Sequence, residues 1–356
     1  MSMDTHIKDI LELAVWAPSG DNSQPWRFVV KGNEVNVYNL PDRDNPVLNF
    51  RQAGSYVAHG GLIENAVIAA SAKGYRAIIR LFPDNSDPTF VATLAFEKAN
   101  VGADPLCGVI TTRHTNRKPY RPLPLTQEER NALLSVVPEL GLEASARVGL
   151  IEDAESRKRL GAAGASVEQV ILENRELHGI LFKDVVWSEK EELEKHSGLY
   201  LDAMEFSPPQ RALFGLARRW SFMRVANAIG FPKFISWQDA KIYATGSALG
   251  AVIMKSSGPE DFVNAGRIMQ RLWLRVTACG LWLHPITALL FAAARVRAGE
   301  ASMLSAAHRE LIEREYREVE QVFGASAETV AMMFRIGHAD PPRAHSSRRA
   351  PDILIG

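Results

Sequence analysis

Cysteine is scarce in this chain: Cys107 and Cys279 are the only two among 356 residues. Two isolated thiols make neither a disulfide framework nor a Cys-x-x-Cys metal or redox motif, and both are expected as small buried hydrophobes. An excess of either charge is missing too, with 41 Lys+Arg against 41 Asp+Glu. Bulk charge therefore argues against a nucleic-acid or acidic-surface partner. The nine histidines are scattered, none at His-x-x-x-His spacing or beside a cysteine, so no metal site is expected. Neither a Gly-x-Gly-x-x-Gly turn nor a Walker loop occurs. The stretch Met1–Asp9 lacks the basic-then-apolar run of a secretion leader. The most apolar segment, Thr277–Ala294, is broken by Gly280, His284 and Pro285 into a helix end, a short strand and a new helix, which excludes a membrane span. A cytoplasmic chain without membrane or nucleic-acid contacts is the expectation.

What is present is a globular composition, 46% apolar and 23% charged, which excludes disorder and supplies a large core. Ile7, Ile10, Leu11 and Ala14 sit at helical spacing before Pro18. Two strands, Trp26–Val30 and Glu34–Tyr38, flank the turn Lys31-Gly32-Asn33. An apolar helix from about Tyr56 to Lys73 stops at Gly74, and strands Arg76–Phe82 and Phe90–Glu97 follow. Thr111–Pro124 is an Arg- and Pro-rich connector. Thr126 and Glu129 form a capping box, and Ala146–Ile151 reads as a strand. Residues 153–239 read as amphipathic helix carrying Trp187, Trp220 and Trp237; Arg218, Arg219 and Arg224 there are taken as a solvated helix face. Strand Leu249–Met254, a helix opened by a Ser257…Glu260 cap and ended by Gly280, a charged helix from about Met303 to Phe323, and strand Val330–Ile336 complete the chain before a Pro/Arg-rich tail. Gly60-Gly61-Leu62-Ile63…Ala72-Lys73-Gly74-Tyr75 is echoed by Gly266-Arg267-Ile268-Met269…Ala278-Cys279-Gly280-Leu281. The echo implies two related α+β halves, each too small to bury its sheet alone. The halves are expected at 1–110 and at 111–152 with 240–356, and 153–239 as a helical insertion.

Four segments carry chemistry. Ala17-Pro18-Ser19-Gly20-Asp21-Asn22-Ser23-Gln24-Pro25-Trp26 is a tight polar loop between helix and strand. It leaves backbone groups and short side chains free for a planar, heteroatom-rich ligand. In Arg113-His114-Thr115-Asn116-Arg117-Lys118-Pro119-Tyr120, alternation puts Arg113, Thr115 and Arg117 on one side of an extended segment, where guanidinium groups and a hydroxyl can grip a phosphate. Ser346-Ser347-Arg348-Arg349-Ala350-Pro351 again sets hydroxyls beside arginine. Gly280-Leu281-Trp282-Leu283-His284-Pro285-Ile286-Thr287 is a strand breaking at proline. Taken singly, these read equally as a turn-rich loop, a solvated basic linker, a frayed terminus and a buried strand.

Together they resemble the FMN-dependent nitroreductase superfamily. PSGDNSQPW is similar to that family's PSxxNxQPW loop, RHTNRKPY to its Arg-x-Ser/Thr-x-Arg/Lys phosphate motif, GLWLHPIT to the segment whose amides approach flavin N5, and SSRRAP to its basic C-terminal element. In ordinary members the phosphate motif precedes the loop, and FMN sits between two subunits; here the loop comes first. The resemblance thus implies a long single-chain form in which two half-domains mimic the usual dimer around one composite FMN site. No second PSxxN loop follows Tyr120, so the symmetry-related site is expected to be dead. By position, Arg113 and Thr115 would bind the FMN phosphate with Arg348 or Arg349. Arg117 would face the flavin N1–C2=O edge, and Pro18, Ser19 and Asn22 would line the ring and ribityl chain. Gln24 and Trp26 would brace the loop. Backbone amides of Pro285–Ala288, chiefly around Thr287 and Ala288, would reach N5; the family often carries Glu-Gly at those last two positions.

The resemblance implies an oxidoreductase passing hydride from NAD(P)H through flavin N5 to a small nitroaromatic or quinone acceptor, with no catalytic side chain. The internal pairing makes a monomer sufficient. Two alternatives stand beside it: an FMN-storing protein whose insertion closes as a lid over the flavin, and a flavin-consuming biosynthetic enzyme.

Overall fold

The computed structural model describes residues 5–356, so the first four positions of the leader reading lie outside the described residues. The first half runs α1 (Thr5–Ala14), β1 (Trp26–Lys31), β2 (Glu34–Asn39), α2 (Ala53–Ala72), β3 (Tyr75–Leu81) and β4 (Phe90–Lys98). Ile7, Ile10, Leu11 and Ala14 face the core as their spacing requires. Gly32 at φ 61° turns the β1–β2 hairpin. The second half runs α3 (Gln127–Leu134), α4 (Val136–Glu139), β5 (Ala146–Ile151), α5 (Ala154–Glu173), α6 (Arg175–Lys183), β6 (Val185–Val186), α7 (Glu189–Lys195), β7 (Leu199–Tyr200), α8 (Pro208–Ala217), α9 (Trp220–Ala228) and α10 (Phe231–Tyr243). It closes with β8 (Ala248–Met254), α11 (Pro259–Ala278), β9 (Trp282–Pro285), α12 (Ala288–Arg297), α13 (Ala306–Phe323), β10 (Thr329–Gly337) and β11 (Ile353–Ile355).

The two sheets share one design. The first has the order β11-β1-β2-β4-β3 and the second β5-β8-β10-β9. Apart from β11, every neighbouring pair is antiparallel in both. Matching β1 to β5, β2 to β8, β3 to β9 and β4 to β10 superimposes the two connectivities, with α2 and α11 as the equivalent 20-residue helices. The hairpin that Gly32-Asn33 closes in the first half is opened in the second by residues 152–247.

The halves meet along α2 and α11, at the echoed glycines. A Cβ on Gly60 would lie 1.9 Å from the Val263 carbonyl oxygen, and one on Gly266 would lie 2.0 Å from that of Val57. Val57 and Val263 each stand three residues before their own glycine, so the crossing is a two-fold contact between equivalent positions. Only glycine permits such backbone approach. One turn on, buried Glu64 accepts from Arg271 Nε at 2.6 Å and Arg267 Nε at 3.2 Å. Gln270 Nε2 donates to Asn65 Oδ1 at 2.7 Å. These polar groups are paired across the junction, as burial demands. Gly74 and Gly280 end the two helices at φ 77° and 72°.

Three expectations need correction. The cap of α11 falls one residue later than Ser257…Glu260: Asp261 accepts from Gly258 N–H and Ser256 Oγ, both at 2.8 Å. The tail does not end with the second half, because β11 crosses over and pairs in parallel with β1. Residues 153–239 are not all insertion either. Leu160, Ala163, Val167 and Val170 of α5 pack against Leu249, Ala251 and Ile253 of β8 in the second core.

Candidate functional site

Three segments converge beside the junction: the loop between α1 and β1, the connector after Ile110, and the tail before β11. The loop folds tightly because three non-glycine residues, Asp21, Asn22 and Gln24, take positive φ of 44°, 55° and 51°. Asp and Asn tolerate this region better than most, and such strain gathers at functional sites. Ser19 Oγ accepts from Gln24 N–H at 3.0 Å, and Gln24 Nε2 donates to Asn22 O at 3.1 Å. Gln24 and Trp26 are buried, in the bracing positions expected of them.

The connector is tied to the second sheet. Asn116 N–H donates to Leu283 O, Asn116 Nδ2 to Asp340 O and Tyr120 Oη to Asn116 O. Behind it, buried Arg335 donates to Lys118 O, Ile242 O, Thr245 Oγ1 and His284 Nδ1, binding connector, α10 and β9 together. The tail is tied to the first sheet by β11 and by Asp352, which accepts from Arg43 at 2.7 Å and Arg27 at 3.2 Å. The connector of one half and the tail of the other are thereby held against the loop.

They enclose a cavity of about 100 Å³ lined by Pro18, Ser19 and Asn22, by Arg113, Thr115 and Arg117, and by Arg348. Arg113 is 2% exposed. Its Nη2 donates to Trp16 O at 2.9 Å, its guanidinium lies 4.4 Å from the Trp273 ring, and its Nε has no partner. Arg348 donates to Ser346 O and Ser347 O, and its Nε is likewise buried and unpartnered. Among the described residues no carboxylate pairs with either guanidinium. Burial pulls both arginines down, Arg348 to about 10. Two arginines lining one cavity, neither in an ion pair and each with a buried donor unpartnered, are a costly arrangement that an anion would relieve.

Five of the expected residues do not line this cavity. Arg349 turns away from the cavity, donating through Nη2 to Ser197 Oγ at 2.6 Å. Pro285, Ile286, Thr287 and Ala288 do not line it. Ile286 is a core residue of the second half whose N–H donates to Met333 O at 2.7 Å. Thr287 caps α12, and Ala288 faces a separate apolar cleft with Val47 and Leu48. Strand β9 was legible as a strand, but its side chains serve packing.

The insertion covers the site. Gly198, Leu199, Tyr200 and Ala203 form a wall of the cavity. His196 O accepts from Gln24 Nε2 at 2.6 Å and from Asn22 Nδ2 at 3.3 Å; Ala203 O accepts from Arg117 Nη1 at 3.0 Å. His196 Nδ1 lies 2.7 Å from Ser347 Oγ, which with its own N–H donates to Glu192 Oε1. Loop, connector and tail are all bonded to this cover. The three tryptophans do not form it. Trp187 and Trp220 pack in the insertion's own core with Phe182 and Met223, and Trp237 is 55% exposed.

Beside the cover, Glu168 of α5 bonds the Tyr243 hydroxyl. Lost solvation, then Asp239 and Asp21, push its carboxyl up to about 8. Sequence patterning had no means to single it out, since the elements around it are distant in the chain.

Relatives match the chain along its length. Over 351 residues it is 24% identical to MT1398, an uncharacterised protein of Mycobacterium tuberculosis, covering 96% of this chain and 47% of that protein. Over 231 residues it is 27% identical to a Mycobacterium tuberculosis protein provisionally named NAD(P)H nitroreductase acg, covering 64% of this chain and 66% of the relative. The relatives that carry a functional name are provisionally named nitroreductases, and the chain is similar to them at 27–29% identity. Its own topology is α+β, with two halves of matching connectivity arranged as a pseudo-dimer in one chain. Among solved structures, a provisionally named nitroreductase from Anabaena variabilis matches 96% of this chain and 90% of its own at 11% identity and a TM-score of 0.47. An FMN-bound nitroreductase from Bacteroides fragilis matches 71% and 99% at 9% identity and a TM-score of 0.39. No family model matches. The chain spans about half the length of MT1398.

Proposed function

We propose that this chain binds one FMN at the composite site and works as an NAD(P)H-dependent oxidoreductase. The observation that carries this reading is the pair Arg113 and Arg348, neither in an ion pair among the described residues and each with a buried Nε left without a partner, in a cavity flanked by Ser19, Thr115 and Ser346. Their orphaned Nε donors fit a phosphate dianion, and the unpartnered Asn22 Oδ1 fits a polar edge or hydroxyl of the same ligand. Thr115 would add a hydroxyl to the phosphate grip. Arg117 would set its charge against the pyrimidine edge of the ring, and Pro18 and Ser19 would shape the loop side. When bound, FMN supplies two-electron hydride chemistry at N5 between NAD(P)H and a small acceptor of nitroaromatic or quinone type. The chain's own part is to hold and orient the cofactor, exclude water beneath the 196–203 cover, and keep a cation near the ring.

A second reading is favoured by that cover. Backbone carbonyls of His196 and Ala203 already bind Asn22, Gln24 and Arg117, an arrangement suited to retaining FMN and excluding nicotinamide. Anaerobic addition of NADPH to the FMN-loaded chain separates the two. Bleaching of the flavin bands within seconds supports the oxidoreductase; bands unchanged after an hour with NADPH or NADH overturn it in favour of storage.

A further inference from the structure

Two histidines line the same cavity without any role in the reading above. His114 lies between Arg113 and Thr115 on the connector, and His345 precedes Ser346 on the tail. Their rings are stacked, with centroids 4.2 Å apart and planes 19° from parallel. Connector and tail are separated by more than two hundred residues, so the stack is a tertiary contact made at the mouth of the arginine pair. We infer that His114, stacked on His345, is a proton-accepting clamp for the phosphate, so that FMN binds together with about one proton taken up from water.

The argument rests on charge and geometry, and on the FMN reading above. Without an anion, His114 meets Arg113 from its own segment and His345 and Arg348 from the tail. Glu192 of the insertion acts on Arg348 and bonds the tail through Ser347. Asp21 and Arg117 occupy other walls of the cavity. In this cationic setting His114 stays neutral, held down to about 3 by burial first, then by His345, Arg113 and Arg348. A phosphate dianion cancels the charge of Arg113 and Arg348 and adds a direct attraction for imidazolium, which opposes the burial that keeps His114 neutral; protonated, the ring offers two N–H donors toward phosphate oxygens. His114, held 4.2 Å from the His345 ring, has one site to protonate, which sets the uptake at about one proton.

The sign of the linkage follows. A group that gains a proton on binding makes affinity fall as pH rises, up to tenfold per pH unit between its pKa in the free chain and its higher pKa in the complex. Riboflavin, which lacks the phosphate, gives no such dependence.

The test is calorimetric titration of the full-length chain with FMN, riboflavin or inorganic phosphate at pH 7.5, in two buffers of different ionisation enthalpy. At that pH the phosphate of FMN is already almost fully dianionic. The expected result is net proton uptake with FMN, none with riboflavin, and most of the uptake lost in His114→Gln, which keeps a side-chain donor. His114→Gln should also flatten the pH dependence of FMN affinity between pH 6 and 9 while leaving riboflavin affinity unchanged. As a readout independent of affinity, the His114 ring proton should show no NMR titration above pH 5 in the free chain and should titrate in the FMN complex. Equal proton uptake by wild type and His114→Gln overturns the inference while the FMN reading stands. Proton-linked binding of inorganic phosphate without FMN binding supports the clamp and removes FMN as its ligand. No binding of FMN or phosphate overturns both.

Discussion

The contact between α2 and α11 gives a prediction that can be worked from backbone coordinates. In Gly60→Ala, the new methyl would lie 1.9 Å from Val263 O and 2.8 Å from both Arg267 N and Gly266 Cα. All three are backbone atoms of a helix, so no side-chain rotation relieves the clash. The helices must part by more than about 1 Å, since non-bonded carbon contacts settle near 3.5 Å. Overpacking of this kind typically costs about 1–3 kcal/mol, more where backbone must move. Replacing glycine by alanine within a helix returns about 1 kcal/mol. A net loss of about 2 kcal/mol, the upper end of that difference, is expected, read as a lower urea midpoint. Gly61→Ala in the same helix is the control, because its methyl would meet Pro18, Ala17 and Gln270 side chains only at 3.4–3.7 Å; it should be neutral or slightly stabilising. Parting the helices once accommodates both methyls, so Gly60→Ala with Gly266→Ala should lose at least about 1 kcal/mol less than the sum of the singles. A Gly60→Ala protein within about 0.5 kcal/mol of wild type would refute the reasoning, and strict additivity would refute the two-fold contact.

Two other substitutions probe the site. Arg113→Gln removes a buried cation without a counter-ion; FMN affinity should fall about a hundredfold or more in a fluorescence-quenching titration, while the melting temperature of the FMN-free chain holds or rises. Unchanged FMN affinity would remove Arg113 from the phosphate grip. Glu168→Gln bears on pH. With its carboxyl raised to about 8, the folded chain keeps a proton that the unfolded chain has released, so this group costs stability progressively as pH rises from its ordinary range to 8. The variant should match wild type near pH 4.5 and exceed it by a few kcal/mol at pH 9. A constant offset across that range in chemical unfolding would contradict this.

What the sequence disclosed has a physical pattern. The echo between Gly60…Gly74 and Gly266…Gly280 was legible because those positions are dictated by backbone geometry, a helix crossing and two left-handed stops, which leave few residue choices. That Arg113, Thr115, Arg117 and Arg348 would share one cavity came from the combination of four motifs; spacing alone fits a solvated linker and a frayed terminus equally well. The cover was legible only as a possibility. Its contacts run through the carbonyls of His196 and Ala203, which any residue could supply, and its conspicuous tryptophans belong to a separate core. Strand β11 is three residues after a tail without periodicity, and only the edge of β1 makes it a strand. Arg335 lay hidden in an apolar run because its partners, Lys118, Ile242 and His284, come from distant elements. Ile286 was read for its backbone near a ligand; the fold puts its side chain in the second core and its N–H on Met333 O, packing that a strand broken by proline does not announce.

The central claim, that two unlike halves build a single FMN site, is tested most directly by the stoichiometry of FMN on the full-length chain. Purified chain saturated with FMN and desalted should carry about one flavin per chain, by absorbance against protein concentration, because only the first half supplies the Ser19–Asn22 loop and only one arginine pair faces it. Two flavins per chain would contradict the composite site; none, even after incubation with excess FMN, would contradict the assignment of the cavity.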